Sequence, residues 1–275
     1  FWAIEAASFD LIEVGVDTGA EVRRIAGWGD DPADEAEAEG LFQALQRVDV
    51  GADGWLWVDD CCEPASGNIF GLDPDRITTI DEVIGGSPSG LGRQRLNGLN
   101  PVVSPDGSLV AYGNTTFDVT VVDRDGRPVA SLLAGNDETF PTPLAWIDDV
   151  TVAVAEADGA ETTITLWDLT EPSAPAPLGG AVSRPGGVVD AAEGPEGDVL
   201  VVLGPDPFGD PRRNGVVIGP GGAEDVVVPQ GLQSVDRDPS GRHLLNVGAD
   251  GLARLGPLDG DTRVLSDIEV IWASW

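Results

Sequence analysis

Short apolar segments separated by polar turns recur along the chain and predict β-hairpins. In residues 119–133, one apolar segment is followed by a turn that contains Asp125 and Gly126, and a second apolar segment comes next. An Asp-Gly pair favours the positive φ angles of a tight hairpin turn. The same arrangement recurs around residues 17–19 and 259–261. The pattern therefore predicts short antiparallel strands joined by tight turns.

A second unit, made of two apolar strands around a turn containing Asp or Gly, lies upstream of the hairpins. Its copies cover residues 50–57, 103–112, 145–152, 192–201 and 237–245. The equivalent turn residues are separated by 53, 42, 48 and 44 positions, and they are Gly54, Gly107, Asp149, Gly197 and Gly241. A period of about 40 to 50 residues with four strands per repeat is typical of the blades of a β-propeller.

The turns of two of these units carry a recognisable motif. Residues 104–112 begin with Ser-Pro-Asp-Gly, and residues 238–242 are Asp-Pro-Ser-Gly-Arg. These segments resemble the SPDG-type repeat of TolB-like (PD40) propellers, which are relatives of the WD40 class. The resemblance extends from about residue 99 to residue 275, whereas residues 30–39 and the loop after Cys62 depart from it. It implies an all-β propeller located outside the cytoplasm.

The repeat length also predicts the number of blades. The residues after Gly241 and those before Gly54 together have the length of two more repeats, so we predict six four-stranded antiparallel blades in a single domain, residues 1–275. Blade 1 combines residues 268–275 with 1–27, an acidic loop spans residues 28–40, and the other blades are centred near residues 54, 107, 149, 197 and 241. Sharing the terminal strands within one blade removes exposed sheet edges. A double-layer β-sandwich is the alternative, but it would not require the period.

Composition narrows the classes of partner. The chain has 48 acidic residues against 15 basic ones, all of them Arg, for a net charge of −33. Such a field repels phosphate, so nucleic acid is excluded as a partner, and any electrostatically steered partner is cationic. No apolar run is long enough for a transmembrane segment. The tryptophans at 55, 57, 146, 167 and 272 are predicted to lie in strands and to fill the space between blades.

The only two cysteines, Cys61 and Cys62, are adjacent. This spacing matches neither a zinc site nor a multi-bridge framework. The pair forms either a vicinal disulfide or two free thiols, and we favour the disulfide in an oxidising compartment. The chain also lacks Met, even at position 1, and we expect it to be processed from a longer one.

No catalytic constellation is evident in the sequence. His243 is the sole histidine, and we interpret it as a structural residue held by a backbone partner. Residues 86–90 have Pro at the nucleophile position of a G-x-S-x-G elbow. The longest irregular loop of the second half offers Phe208 beside Arg212 and Arg213 as a candidate binding site. The alternative is that these arginines pair with neighbouring carboxylates.

Two sets of carboxylates are calcium candidates. Asp30, Asp31 and Asp34 belong to an acidic run that lacks the spacing of a calcium loop, and a solvated acidic loop is the alternative interpretation. A second set lies on or near the predicted innermost strands and consists of Asp49, Asp190 and Asp236.

Three functions fit these observations. We favour a non-catalytic binding or scaffold module, with an unknown protein or small ligand as partner and no cofactor. A calcium-dependent propeller hydrolase or lactonase is the second hypothesis, because Asp, Glu and Asn can hold calcium in a propeller channel. The third is a sensor or accessory domain of a longer membrane-anchored protein.

Overall fold

The computed structural model describes residues 1–27, 44–61, 68–78, 96–114, 118–134, 140–158, 161–193, 197–204, 215–228, 232–238, 243–257 and 261–275. Within these ranges every regular element is a β-strand, and all strand pairs are antiparallel. No helix in the same ranges is long and apolar enough to cross a membrane.

The strands are numbered in chain order. The first eleven are β1 (Trp2–Glu5), β2 (Leu11–Val14), β3 (Glu21–Ile25), β4 (Ala44–Val50), β5 (Leu56–Cys61), β6 (Asn68–Leu72), β7 (Leu96–Val103), β8 (Leu109–Asn114), β9 (Asp118–Asp123), β10 (Pro128–Ala134) and β11 (Phe140–Asp148). The others are β12 (Thr151–Asp158), β13 (Glu161–Asp168), β14 (Ala176–Pro185), β15 (Val188–Glu193), β16 (Val199–Leu203), β17 (Gly215–Gly219), β18 (Gly222–Val226), β19 (Leu232–Arg237), β20 (Leu244–Gly248), β21 (Leu252–Gly256) and β22 (Arg263–Ser274).

These strands form four sheets of sequential neighbours. Strands β4 to β10 make one seven-stranded sheet, while β11–β14 and β15–β18 make two four-stranded sheets. The fourth sheet has seven strands in the order β19-β20-β21-β22-β1-β2-β3. In it Trp2 lies opposite Ser274 and Ile4 opposite Trp272, so the first and last strands of the chain are hydrogen-bonded to each other.

Each seven-stranded sheet contains one long strand that pairs with two groups of strands. The first residues of β7, Leu96 and Asn97, pair with β6, and its later residues pair with β8. Likewise, the first part of β22 pairs with β21 and its last residues pair with β1. Strands β7 and β22 therefore join neighbouring four-stranded groups.

The Ser-Pro-Asp-Gly segment forms the turn between β7 and β8. Gly107 adopts a φ of 71°, which is accessible to glycine without steric cost, and its N–H donates to the Ser104 carbonyl at 2.8 Å. The Asp106 carboxylate accepts from the Ser108 N–H at 2.8 Å, and the Ser104 hydroxyl accepts from the Leu109 N–H at 2.9 Å. The motif thus satisfies its own backbone groups while reversing the chain.

The described apolar core divides into six clusters, each between two groups of strands. Trp146 on β11 is 1% exposed and donates its indole N–H to the Val102 carbonyl on β7 at 3.0 Å. Trp272 on β22 similarly donates to the Val48 carbonyl on β4 at 3.1 Å. The predicted packing role of these two tryptophans is confirmed. Trp55, by contrast, lies one residue before β5 and not within a strand, because it belongs to the turn that precedes it.

The fold is an all-β propeller, as the sequence period predicts. A two-layer sandwich would instead place all strands in two stacked sheets.

Candidate functional site

A cavity of about 290 Å³ lies where the first strands of the strand groups converge. Its lining comes from six separate segments, residues 47–52, 102–105, 144–146, 191–193, 235–237 and 272–275. These belong to β4, β7, β11, β15, β19 and β22 and to the residues that directly follow them. The cavity is therefore built from nearly the whole length of the chain, as expected for a propeller channel.

Arg47 lies at one end of this cavity and crosses from β4 toward β15. Its Nη1 atom is 3.7 Å from Oδ1 of Asp190, and its Nη2 donates to the Leu144 carbonyl at a long 3.5 Å. The guanidinium stacks over the Trp272 ring at 4.8 Å from its centroid, a favourable cation–π geometry. Nε of Arg47 and Oδ1 of Asp190 are both buried and have no hydrogen-bond partner in the described part of the chain.

Three carboxylates on the innermost strands bind the main chain of a neighbouring strand. Asp49 accepts from the Val103 N–H at 2.7 Å, Asp190 from the Val235 N–H at 2.7 Å, and Asp236 from the Trp275 N–H at 2.8 Å. Each bond joins two strands that line the cavity. One oxygen of each predicted calcium candidate on these strands is thus already engaged in holding the ring together.

Burial controls the ionisation of these groups. It raises the pKa of Asp190 to about 7, although the Arg47 charge opposes the shift. It raises the pKa of Asp236 to about 6, with the Asp49 charge adding to the effect. Burial also raises the pKa of Asp49, and the Arg47 charge opposes this increase. Asp190 and Asp236 therefore each gain or lose a proton near neutral pH.

Glu193 is the last residue of β15, and its exposed side chain lines the cavity. Its carboxylate makes no hydrogen bond or ion pair with any described residue. Its pKa is raised to about 7, first by the loss of water around it and then by the charges of Asp236, Asp49 and Asp149. Within the described part of the chain, no cation opposes this rise in the pKa of Glu193.

Arg237, the other cation that lines the cavity, is already paired. Its Nη1 lies 3.2 Å from Oδ1 of Asp198, and its side chain is only 11% exposed. Its charge therefore does not neutralise Glu193, and the end of the cavity at Glu193 is acidic.

The remaining sequence candidates fall mostly outside the described residues. These are Asp30, Asp31 and Asp34 of the acidic loop, together with Cys62, Phe208, Arg212 and Arg213. Cys61 is the last residue of β5, and its backbone pairs with Ala44. His243 is exposed and its Nδ1 lies 3.2 Å from Asp238, so its partner is a carboxylate and not the backbone partner that we expected. Within the described ranges, no group of three or more His, Cys, Asp or Glu side chains is arranged to hold a metal ion.

Sequence reasoning missed Arg47, Glu193 and Trp272 as members of one site. The available signal was a charged residue inside an apolar strand, as in the segment 44–50. A buried arginine requires a partner or an aromatic surface, so its position within a strand could have marked it.

Comparison with known proteins identifies the fold. No family model matches the sequence, and no curated protein matches it. The chain is similar to the crystal structure of TolB from Acinetobacter baumannii, with a TM-score of 0.65 and 15% identity over 100% of this chain and 65% of that one. A chain of the mitotic checkpoint complex is also similar, with a TM-score of 0.55 and 15% identity over 87% of this chain and 67% of that one. The fold is thus TolB-like and WD40-like, and the chain spans about 65% of the TolB chain it matches.

Proposed function

We propose that this chain is a non-catalytic binding module whose ligand site is the central cavity, and that the ligand presents a cationic group to Glu193. The observation that carries this proposal is the Glu193 carboxylate, which lines the cavity, has no partner among the described residues and lies near other carboxylates. A positive group placed there removes the repulsion between these charges. The ligand is a small molecule or a side chain of a partner protein.

We propose further that the propeller has six blades and that its ring is closed by the chain termini. Six strand segments line the cavity, and six core clusters lie between strand groups. Two of these clusters pack strands of the same seven-stranded sheet against each other, around β7 and around β22. Such packing requires each seven-stranded sheet to bend at its long strand, which then belongs to two blades.

The module is proposed to act outside the cytoplasm, either alone or as a sensor or accessory domain of a membrane-anchored protein. The TolB-like fold supports this location, as does the adjacent cysteine pair. If Cys61 and Cys62 form a disulfide, alkylation of the denatured protein adds no label until a reductant is present. Two labels without reductant would remove this support.

The binding proposal is tested with pentylamine as a minimal organic cation. At about pH 8, where Glu193 is ionised, we expect saturable binding by titration calorimetry or NMR. Glu193→Gln should weaken this binding by about tenfold, the effect of losing one favourable charge pair. Glu224→Gln removes an exposed carboxylate at the outer edge of the same sheet and should leave it unchanged. Identical binding by wild type and Glu193→Gln would overturn the proposal.

A further inference from the structure

We propose, building on the cationic site at Glu193, that the cavity binds an ω-amino carboxylate. The ligand's carboxylate lies on the Arg47 guanidinium and its ammonium lies at Glu193. Both ends of the cavity then carry a charge opposite to that of the ligand group beside them.

Arg47 is suited to receive an anion because its hydrogen-bonding capacity is largely unused. A guanidinium carries five N–H donors, and its planar fork matches a carboxylate. Here its shortest polar contacts within the described residues are the 3.5 Å bond to the Leu144 carbonyl and the 3.7 Å approach to Asp190. Nε has no partner in that part of the chain.

Asp190 lies beside Arg47 but does not itself line the cavity. Its side chain is 0% exposed, and Oδ1, the oxygen directed at Arg47, accepts no hydrogen bond from the described residues. The other oxygen is used by the Val235 N–H. Asp190 therefore holds the guanidinium from outside the cavity, and the long 3.7 Å separation leaves the Arg47 N–H groups able to donate to an incoming carboxylate.

The spacing of the two charged ends selects the length of the ligand. Glu193 lies three residues beyond Asp190 on β15, and the pairing with β16 is regular between them. At the rise of a β-strand this spacing is about 10 Å between main-chain positions. A ligand with about five methylene groups between its charges spans most of this distance. A short α-amino acid, whose charges are adjacent, would not reach both ends.

The walls between the ends suit a methylene chain. Val48, Leu144 and Trp272 line the cavity and present apolar surface beside Arg47. A volume of about 290 Å³ lies just below the range of about 300–1,000 Å³ for ligand pockets, which favours a small molecule over a folded partner segment.

The test compares three probes on the wild-type protein at low salt: 6-aminohexanoate, pentylamine and hexanoate. We expect 6-aminohexanoate to bind about tenfold or more tightly than pentylamine, because it adds charge-assisted bonds to Arg47. Hexanoate should bind weakest, since the acidic field of the protein repels it. Arg47→Met should abolish the advantage of 6-aminohexanoate over pentylamine, and Arg127→Met, the matched control on an exposed arginine, should keep it.

The outcomes separate this inference from the proposed function. Equal binding of 6-aminohexanoate and pentylamine would overturn the carboxylate subsite but leave the cationic site standing. Binding of hexanoate alone would support the subsite at Arg47 and overturn the cationic site. Absence of binding by 6-aminohexanoate would overturn the inference whether or not pentylamine binds. The comparison on wild-type protein remains decisive if Arg47→Met does not fold, and Arg47→Lys, which keeps the charge without the planar fork, should retain only part of the advantage.

Discussion

Arg47 and Asp190 form an ion pair between β4 and β15, two strands of different sheets, with 3.7 Å between Nη1 and Oδ1. The Asp190 side chain is 0% exposed and that of Arg47 is 12% exposed. Because the pair is buried, removing one member leaves the other charge without water or a counter-ion. The pair thus restrains two strands that are distant in the sequence.

Arg47→Met should destabilise the protein by about 3 to 5 kcal/mol at a pH near 8, because it leaves the buried Asp190 carboxyl without the positive charge that opposes its desolvation. Asp190→Asn should cost less, and the double variant should recover part of the loss of Arg47→Met. The measurement is urea unfolding followed by circular dichroism. Arg127→Met, which changes a 75% exposed side chain, should shift stability by less than about 0.5 kcal/mol. A loss for Arg47→Met no larger than this control would contradict a structural role for the pair.

The fold could be predicted from the sequence because its turns require particular residues. Gly54, Gly107 and Gly197, three of the residues that define the period, have φ angles of 79°, 71° and 72°. Glycine is favoured where φ is positive, so the recurring glycines mark the position of the turn in each repeat. The strands between the turns follow from apolar runs of the expected length.

The site could be predicted only in part. Asp49, Asp190 and Asp236 were expected near the innermost strands, and they lie there. Their bonds to main-chain groups of other strands, and the approach of Arg47 to Asp190, depend on closure of the ring. One sequence contains no pattern that specifies which charges meet across a channel.

Stability should fall as pH rises from about 4 to about 7. The folded-state pKa is about 7 for Asp190 and about 6 for Asp236, above the ordinary value of 3.8. In this window the folded protein holds protons that the unfolded chain releases, so raising the pH favours unfolding. The loss should be about 1 to 4 kcal/mol in urea unfolding. Asp190→Asn should flatten the curve, whereas a stability that rises steadily from pH 4 to 7 would contradict these raised pKa values.

Added NaCl should raise the melting temperature. The chain carries a net charge of −33, and salt screens repulsion between surface carboxylates over about 10 Å at 0.1 M. The check is a thermal melt between low and molar salt at one pH. A flat or falling melting temperature would show that repulsion between the carboxylates is not limiting.

Trp146→Phe should cost more stability than Trp167→Phe. The Trp146 indole N–H donates to the Val102 carbonyl at 3.0 Å, whereas the buried Trp167 N–H has no hydrogen-bond partner within the described residues. Removing a satisfied buried bond costs about 0.5 to 1.5 kcal/mol. The two variants remove the same atoms, and because Trp146 is fully buried while Trp167 is half-buried, their difference in unfolding free energy combines the bond with the closer packing of Trp146. Equal losses would mean that this bond adds nothing to the packing.

Calcium should stabilise the protein no more than magnesium does at the same concentration. Calcium requires six to eight oxygen ligands, but the carboxylates of Asp49, Asp190 and Asp236 already accept main-chain N–H groups from neighbouring strands. Asp236→Ala should therefore lower the melting temperature equally with and without calcium, because it removes a bond to Trp275 and not a metal ligand. Melts with calcium, magnesium and chelator measure this directly, and a lactone hydrolysis assay accompanies them. The hydrolase hypothesis would replace the binding module if calcium alone raised the melting temperature and the lactone were hydrolysed only with calcium. Both effects would have to disappear in Asp49→Ala, Asp190→Ala or Asp236→Ala, because only ligation by these carboxylates would link the metal to both measurements.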